Sequence, residues 1–594
     1  MKILCRCMGT RSAFLLLLLT LPALASGQAI QSITPKNFDS FAELPREYVK
    51  SSLKDTPGGG KSWSVRSGQN LDSVLAHVSC GDTIELQAGA TFTGNFEIPN
   101  KNCDDLHWIV IRTSAPDSSL PAEGSRLTPC YAGVPSLPGR PPFNCASTAN
   151  VLAKIEFAGH GSGPIRFSPR ANHYRLMGLE VTRTESAASV NALIQFQGPA
   201  DHIVFDRVWV HGSPQDETVR GIMLGGSRYV AIVDSFFTDF HCIAKFGSWT
   251  DAQAIIGGLG DGPMGPYKIV NNFLEASGEN ILFGGGEATA TPQDIEVRHN
   301  HMFKPLTWMK GQPGYTGGTN GNPFIVKNLF ELKTGQRVLL EGNILENCWG
   351  GFSQVGFAIL LTPKNAGGCP GCQVTDVTIR YNLISHVGAG LQIANVPTDR
   401  GVALDGQRYS IHDIVIDDID AAKYEGPGEF AQIFSVNGGS PLLQNVTINH
   451  VTAFPPRALF SIGGMTPAGG PMKNFVFTNN IVSSGNTPVW STGGGPANCA
   501  FHDSPLTTFN ACFSGYTFAA NAIVEIPSRF PPSTWPSKNF FPSSASAVRF
   551  ADYHGGNGGD YHLQSSSPYK GKGTDGKDLG ADIDAIKSAI AGAQ

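Results

Sequence analysis

The feature that most constrains this chain is a repeat. Two apolar residues at i and i+2, a short spacer and then an asparagine recur as Ile269-Val270-Asn271-Asn272 and at residues 295–300, 338–343, 377–382 and 475–480. Weaker copies begin near Tyr174, Ile203, Val230, Ile414 and Val446. Successive asparagines lie 28, 43 and 39 residues apart, and the 98-residue gap from Asn382 to Asn480 contains the copies at Ile414 and Val446. After a turn each copy is followed by a second apolar stretch, as at residues 280–283, 358–361 and 390–393. Period-2 strands at a repeating interval, with no helical pattern between them, cannot build strand–helix–strand units. Stacked coil on coil, they pair every backbone group and bury one continuous apolar core. The spacing therefore predicts an all-β parallel solenoid. The asparagine is expected to take the left-handed bend between strands and to bond its equivalent one coil away.

The ends suit a solenoid, which must close its open core. Residues 70–78 read as a short amphipathic helix, followed by a strand at residues 82–86. The helix, Cys80-Gly81-Asp82-Thr83-Ile84-Glu85-Leu86, the asparagine repeats and the ending at residues 575–582 together resemble the right-handed parallel β-helix, pectin-lyase-like superfamily. The likeness spans roughly residues 60–585. It implies a right-handed β-helix with an N-terminal capping helix, and carbohydrate as the usual ligand. The expected organisation is a signal peptide at 1–25, an N-terminal segment at 26–60, the coil at 61–585 and an irregular tail at 586–594.

Composition narrows the class. With 70 Gly and 40 Pro among 594 residues, a long-helix protein is excluded, because these are the poorest helix formers. A formal charge of −5 offers no footprint for nucleic acid. Lys2, Arg6 and Arg11 precede a short apolar run at 13–19 and a small-residue cleavage site ending at Ala25, the pattern of an export signal. No later stretch is long and apolar enough to span a bilayer, so a secreted monomer is expected. Ten cysteines then enter an oxidising compartment. Neighbours in sequence suggest the pairs Cys80/Cys103, Cys130/Cys145, Cys369/Cys372 and Cys499/Cys512, leaving Cys242 and Cys348. Cys369-Pro370-Gly371-Cys372 reads as a loop staple, since nothing around it has redox or zinc context.

The candidate site falls at residues 245–365. Around Glu331 the chain is dense in polar groups: Lys327, Asn328, Glu331, Lys333 and Arg337, with Asp251, Gln253 and Glu279 at comparable places one and two coils earlier. Trp308 and Trp349 are expected to offer ring faces to sugars, with Gln354 and Lys364 as further substrate contacts. Many members of the superfamily act on uronic-acid polysaccharides, so the resemblance implies an extracellular acidic polysaccharide as partner. Lyase chemistry needs a base and stabilisation of an enolate-like intermediate. In that reading Lys333 is the base, Arg337 the proton donor or carboxylate partner, and Glu331 acts with Glu279 or Asn328 on a Ca²⁺ ion. The alternatives are a charged strand whose Glu and Lys neutralise each other, a binding protein without catalysis, and a glycoside hydrolase using two of Asp251, Glu279 and Glu331. Arg298, Glu341, Arg380 and Asp417 are expected on one outward row, as an ion-pair ladder or a binding row for acidic sugar. The polygalacturonase motifs and the pectate-lyase Trp-x-Asp-His signature are absent in order or altogether, and Gly159-His160-Gly161 stands alone.

Overall fold

Strand registers decide the architecture. In the computed structural model, residues 38–187, 189–243, 251–351, 355–364, 368–396, 404–435, 441–463, 471–492, 498–500 and 503–594 are described; the expected export signal and Gln354 lie outside them. One coil runs through the strands Tyr267–Val270, Phe273–Ala276 and Glu279–Phe283. The next runs through Gln293–Arg298, His301–Phe303 and Phe330–Leu332, and the one after through Gly335–Glu341, Ile344–Cys348 and Phe357–Leu361. Each strand pairs in parallel with its equivalent in the neighbouring coils. The first two strands of every coil merge into a 26-stranded sheet and the third belongs to a separate 12-stranded sheet. The chain is a parallel β-helix.

The inward rows explain why these sequences stack. Val230, Tyr267, Ile295, Val338, Val377, Tyr409, Val446 and Phe475 occupy one register position, and Ile232, Ile269, Val297, Leu340, Ile379, Ile411, Ile448 and Phe477 another two residues on. All are buried in a single core cluster that runs the length of the coil. In the 12-stranded sheet two consecutive residues point into that core, as with Ala254 and Ile255, Leu329 and Phe330, and Ala358 and Ile359. This local break in alternation turns the residues that flank each pair outward, including Gln253 and Glu331.

The asparagine corner differs from the sequence expectation in one respect. The left-handed residue is the one before each ladder asparagine: Asn271, His299, Gly342, Tyr381 and Asn479 all have φ between 56° and 64°. The ladder asparagine itself is fully buried and bonds along the axis. Asn272 donates from its amide to Asn300 at 3.0 Å, Asn300 to Asn343 at 3.0 Å, and Asn343 to Asn382 at 3.0 Å. Each amide also reaches a carbonyl of the preceding coil, as Asn300 does at Ile269. Ile414 and Val451 take the next two positions, and there the strands Gly406–Ile419 and Gln444–Ala453 run straight through the corner. The ladder resumes at Asn480, Asn521 and Asn539.

The outer row also needs correcting. Arg298, Glu341 and Arg380 are in register, but the fourth member is His412. Asp417 lies on the following arm, where it accepts from Tyr561 and the Gly558 amide. Arg298 pairs with Glu341 at 2.9 Å and Arg380 with Glu341 at 2.6 Å. Among the described residues the four expected disulfides form, and Cys242 and Cys348 are free and buried. The helix Leu71–His77 is present, N-capped by Asn70, and buries Leu71 and Leu75. The C-terminal segment is less irregular than expected, because Asp582 caps a helix at Ile583–Ala589. No helix among the described residues is long and apolar enough to cross a membrane.

Candidate functional site

The outward face of the 12-stranded sheet gathers five charged side chains from three coils. Register places Arg220, Gln253 and Glu279 side by side, and Glu331 beside Leu282 and Leu360. The Lys327 ammonium lies 3.1 Å from Asp251 Oδ2 and 3.5 Å from Glu279 Oε1. Gln253 donates from Nε2 to Glu279 Oε2 at 2.8 Å. The Lys333 ammonium lies 3.5 Å from Glu331 Oε1. Glu279 and Glu331 are buried, whereas the side chains of Asp251 and Lys333 keep 17% and 20% of their exposure and form the accessible edge.

Burial and charge set the protonation states. Burial and then the Asp251 carboxylate push Glu279 up to about 8, so it is a neutral acid at neutral pH. Burial would also raise Asp251, but the Lys327 ammonium outweighs it and holds this carboxyl below its usual range. Burial would lower both lysines. Glu279 and Asp251 outweigh it at Lys327, and Glu331 and Glu279 outweigh it at Lys333, so both ammoniums are held above their usual value. The result is a buried acid beside an ionised carboxylate, flanked by two cations. Several polar atoms here have no hydrogen-bond partner: Gln253 Oε1, Glu331 Oε2 and both amide atoms of the fully buried Asn328. Native interiors rarely leave such groups unpaired.

The layer beneath holds these groups in place. Lys304 is fully buried, and its ammonium donates to Ala276 O, Gly278 O and Asn280 Oδ1, pinning the turn that leads into Glu279. The Cys348 thiol donates to Lys327 O at 3.2 Å. Neither contact was readable in the sequence, because both cross coils at irregular corners.

Other expected members lie elsewhere. Arg337 sits on the 26-stranded sheet, where it donates to Asp294 at 2.7 and 3.0 Å and to Gln293 at 2.6 Å. It does not join the cluster. Trp308 and Trp349 are buried against Met309, Phe324, Val326 and Tyr424, so neither offers a ring face to solvent. Lys364 is half-buried on the loop after Phe357–Leu361.

Two other sites contain chemistry that the sequence did not reveal. A groove of about 610 Å³ lies on the 26-stranded sheet, lined in part by His301, Glu346, His386 and Tyr424. Glu346 accepts from His301 at 3.0 Å and pairs with His386 at 3.3 Å. Asp105, His173 and His202 bring metal-ligand atoms within 4.8 Å of one another. However, the two imidazoles stack face to face at 4.5 Å and 4°, so their lone pairs run parallel rather than converge on a metal.

The oxygens of the main cluster bear on the expected Ca²⁺. Such an ion takes six to eight oxygens at about 2.3–2.6 Å. Here the oxygens of Asp251 and Glu279 already surround an ammonium, with a second ammonium on Glu331. The arrangement does not fit a divalent cation.

No family model matches the chain, and no curated protein does. Among solved structures it is similar to an alginate lyase from Paenibacillus sp. str. FPU-7, at 12% identity over 78% of this chain and 99% of that one, with a TM-score of 0.30. It is similar to the pectate lyase Pel9A at 12% identity over 89% and 97%, with a TM-score of 0.34. A lacto-N-biosidase of family GH136 from Eubacterium ramulus matches at 11% over 78% and 68%, with a TM-score of 0.38.

Proposed function

We propose that this protein is an exported enzyme that cleaves an acidic extracellular polysaccharide by β-elimination. The helix at Leu71–His77 closes the N-terminal end of its coil. The observation that carries this reading is the cluster itself: neutral Glu279 and the Lys327 ammonium stand together, and the next residue, Asn328, has an unpaired amide donor. A uronate carboxylate bound there is neutralised by donors and positive charge, which acidifies its α-proton. Lys333, at the accessible edge, takes that proton once it has lost its own. The proton needed by the leaving oxygen comes from water or from Glu279.

A second reading, hydrolysis, is favoured by the split between protonated Glu279 and ionised Asp251, the pairing a glycosidase needs. The two reactions separate by product and by pH. Elimination on alginate, pectate or chondroitin gives ultraviolet absorbance from the unsaturated sugar; because it needs Lys333 neutral and Glu279 protonated together, its rate climbs with pH only to about 8 and then levels. Hydrolysis gives reducing ends without absorbance, and its rate falls as pH rises through about 8, where Glu279 loses its proton. Lys333→Ala is expected to reduce elimination about a hundredfold or more. Absence of new ends on every polymer leaves only the reading of a binding protein.

A further inference from the structure

We infer that Lys327 is the resident cation of this site, a tethered ammonium beside Glu279, a carboxylate expected from the sequence to help hold a Ca²⁺ ion. This inference rests on the reading of the cluster as a site for acidic sugar, and it names what neutralises that site. The geometry is specific. The Lys327 ammonium lies 3.1 Å from Asp251 and 3.5 Å from Glu279, on side chains contributed by neighbouring coils. Its stem is almost wholly buried, so the charge is not free to swing into solvent. The Cys348 thiol on its carbonyl fixes the backbone from which it projects.

Charge accounting points the same way. Asp251, Glu279 and Glu331 oppose Lys327, Lys333 and the neighbouring Arg220, so with a proton on Glu279 the set carries a net positive charge. A dication entering this set would sit within a few ångströms of two ammoniums, a repulsion that the partly dry surroundings magnify. It would have to expel a lysine that is already paired. The ammonium also differs from a metal in consequence. It supplies N–H donors and a single charge, which suits hydrogen bonding to one substrate carboxylate rather than bidentate chelation. The expected enzyme therefore handles its acidic sugar in the presence of chelator.

The test is a calcium titration of the full chain, followed by thermal unfolding and by calorimetry, since an ion that binds the native state raises the unfolding temperature. Wild type is expected to show neither a shift nor a binding heat. Lys327→Ala, with Lys327→Met as a second variant that keeps the packed stem, is expected to gain calcium-dependent stabilisation. Adding Glu279→Gln to either is expected to remove it. A calcium shift in wild type that Glu279→Gln abolishes overturns the inference, as does the absence of calcium binding in both folded Lys327 variants. Depolymerisation assays separate the two levels. Activity that survives chelator supports the tethered cation, and activity that needs added calcium overturns it while leaving the proposed reaction standing. If no polymer is cleaved, the proposed reaction falls, and the titration still decides the role of Lys327.

Discussion

Buried polar residues set both the shape and the chemistry of this coil. Asn300 accepts from the amide and backbone of Asn272 and donates to Asn343 and to Ile269 O, so one side chain satisfies groups in the coils on both sides of its own. Asn300→Ala leaves several of those groups without partners at a cost of about 1–3 kcal/mol each. A loss of about 3 kcal/mol or more is expected in denaturant titration, well above a surface Asn→Ala control. Glu279 makes a different demand. Its folded-state pKa of about 8 exceeds the ordinary glutamate value, so the native state holds a proton that the unfolded chain has released. Stability therefore falls as pH rises from the usual glutamate range through about 8. Glu279→Gln is expected to flatten that decline, read as the unfolding temperature across pH. A slope unchanged by the substitution would show that Glu279 is ionised throughout.

At the scale of elements, the N-terminal segment is a strap. Residues 38–56 run along the outside of the 26-stranded sheet against the direction of the coils, touching Thr447, His412, Asp376, Asp294, Tyr229 and Arg175 in turn. Its far end is held by Asp39, which accepts from Ser410 at 2.8 Å and Arg380 at 2.9 Å and pairs with His412 at 3.0 Å. Burial opposes the charge on His412, but hydrogen bonds to Asp39 and Asp413 outweigh it and raise its pKa to about 9. The stabilisation from this imidazolium is complete below the ordinary histidine value and is lost as pH rises through about 9. Amide exchange at residues 38–43 is expected to accelerate above that pH while the coil strands stay protected. Asp39→Asn is expected to show the same release near neutrality. Composition and period carried no sign of the strap, because its contacts lie up to several hundred residues away and follow no repeat.

For the molecule as a whole, stability comes from rows that run through neighbouring coils. Leu340 is fully buried between Val297 and Ile379, so Leu340→Ala opens a cavity in the middle of the stack and is expected to cost about 2–5 kcal/mol. Because each coil leans on its neighbours, the whole described coil is expected to unfold earlier, with one shifted transition rather than a separate early phase. A distinct early phase in calorimetry would mean that the halves of the coil melt independently.

The sequence by itself determined the coil. Apolar alternation and the recurring asparagine are local and periodic, and a parallel stack is the arrangement that satisfies them in every copy. It also located the polar stretch around Glu331 and paired the cysteines that are close in sequence. The tertiary structure decided which of those polar groups meet. Lys327 reaches Asp251 and Glu279 from the irregular segment that precedes Phe330–Leu332, where no alternation sets the direction of a side chain. Arg337 is drawn away to Asp294 because the tight corner at residues 333–334 carries the chain into Gly335–Glu341 of the other sheet, and the two tryptophans pack into a buried cluster with loop residues. A repeat fixes the positions along each strand; the site depends on corners and loops, whose geometry no period encodes.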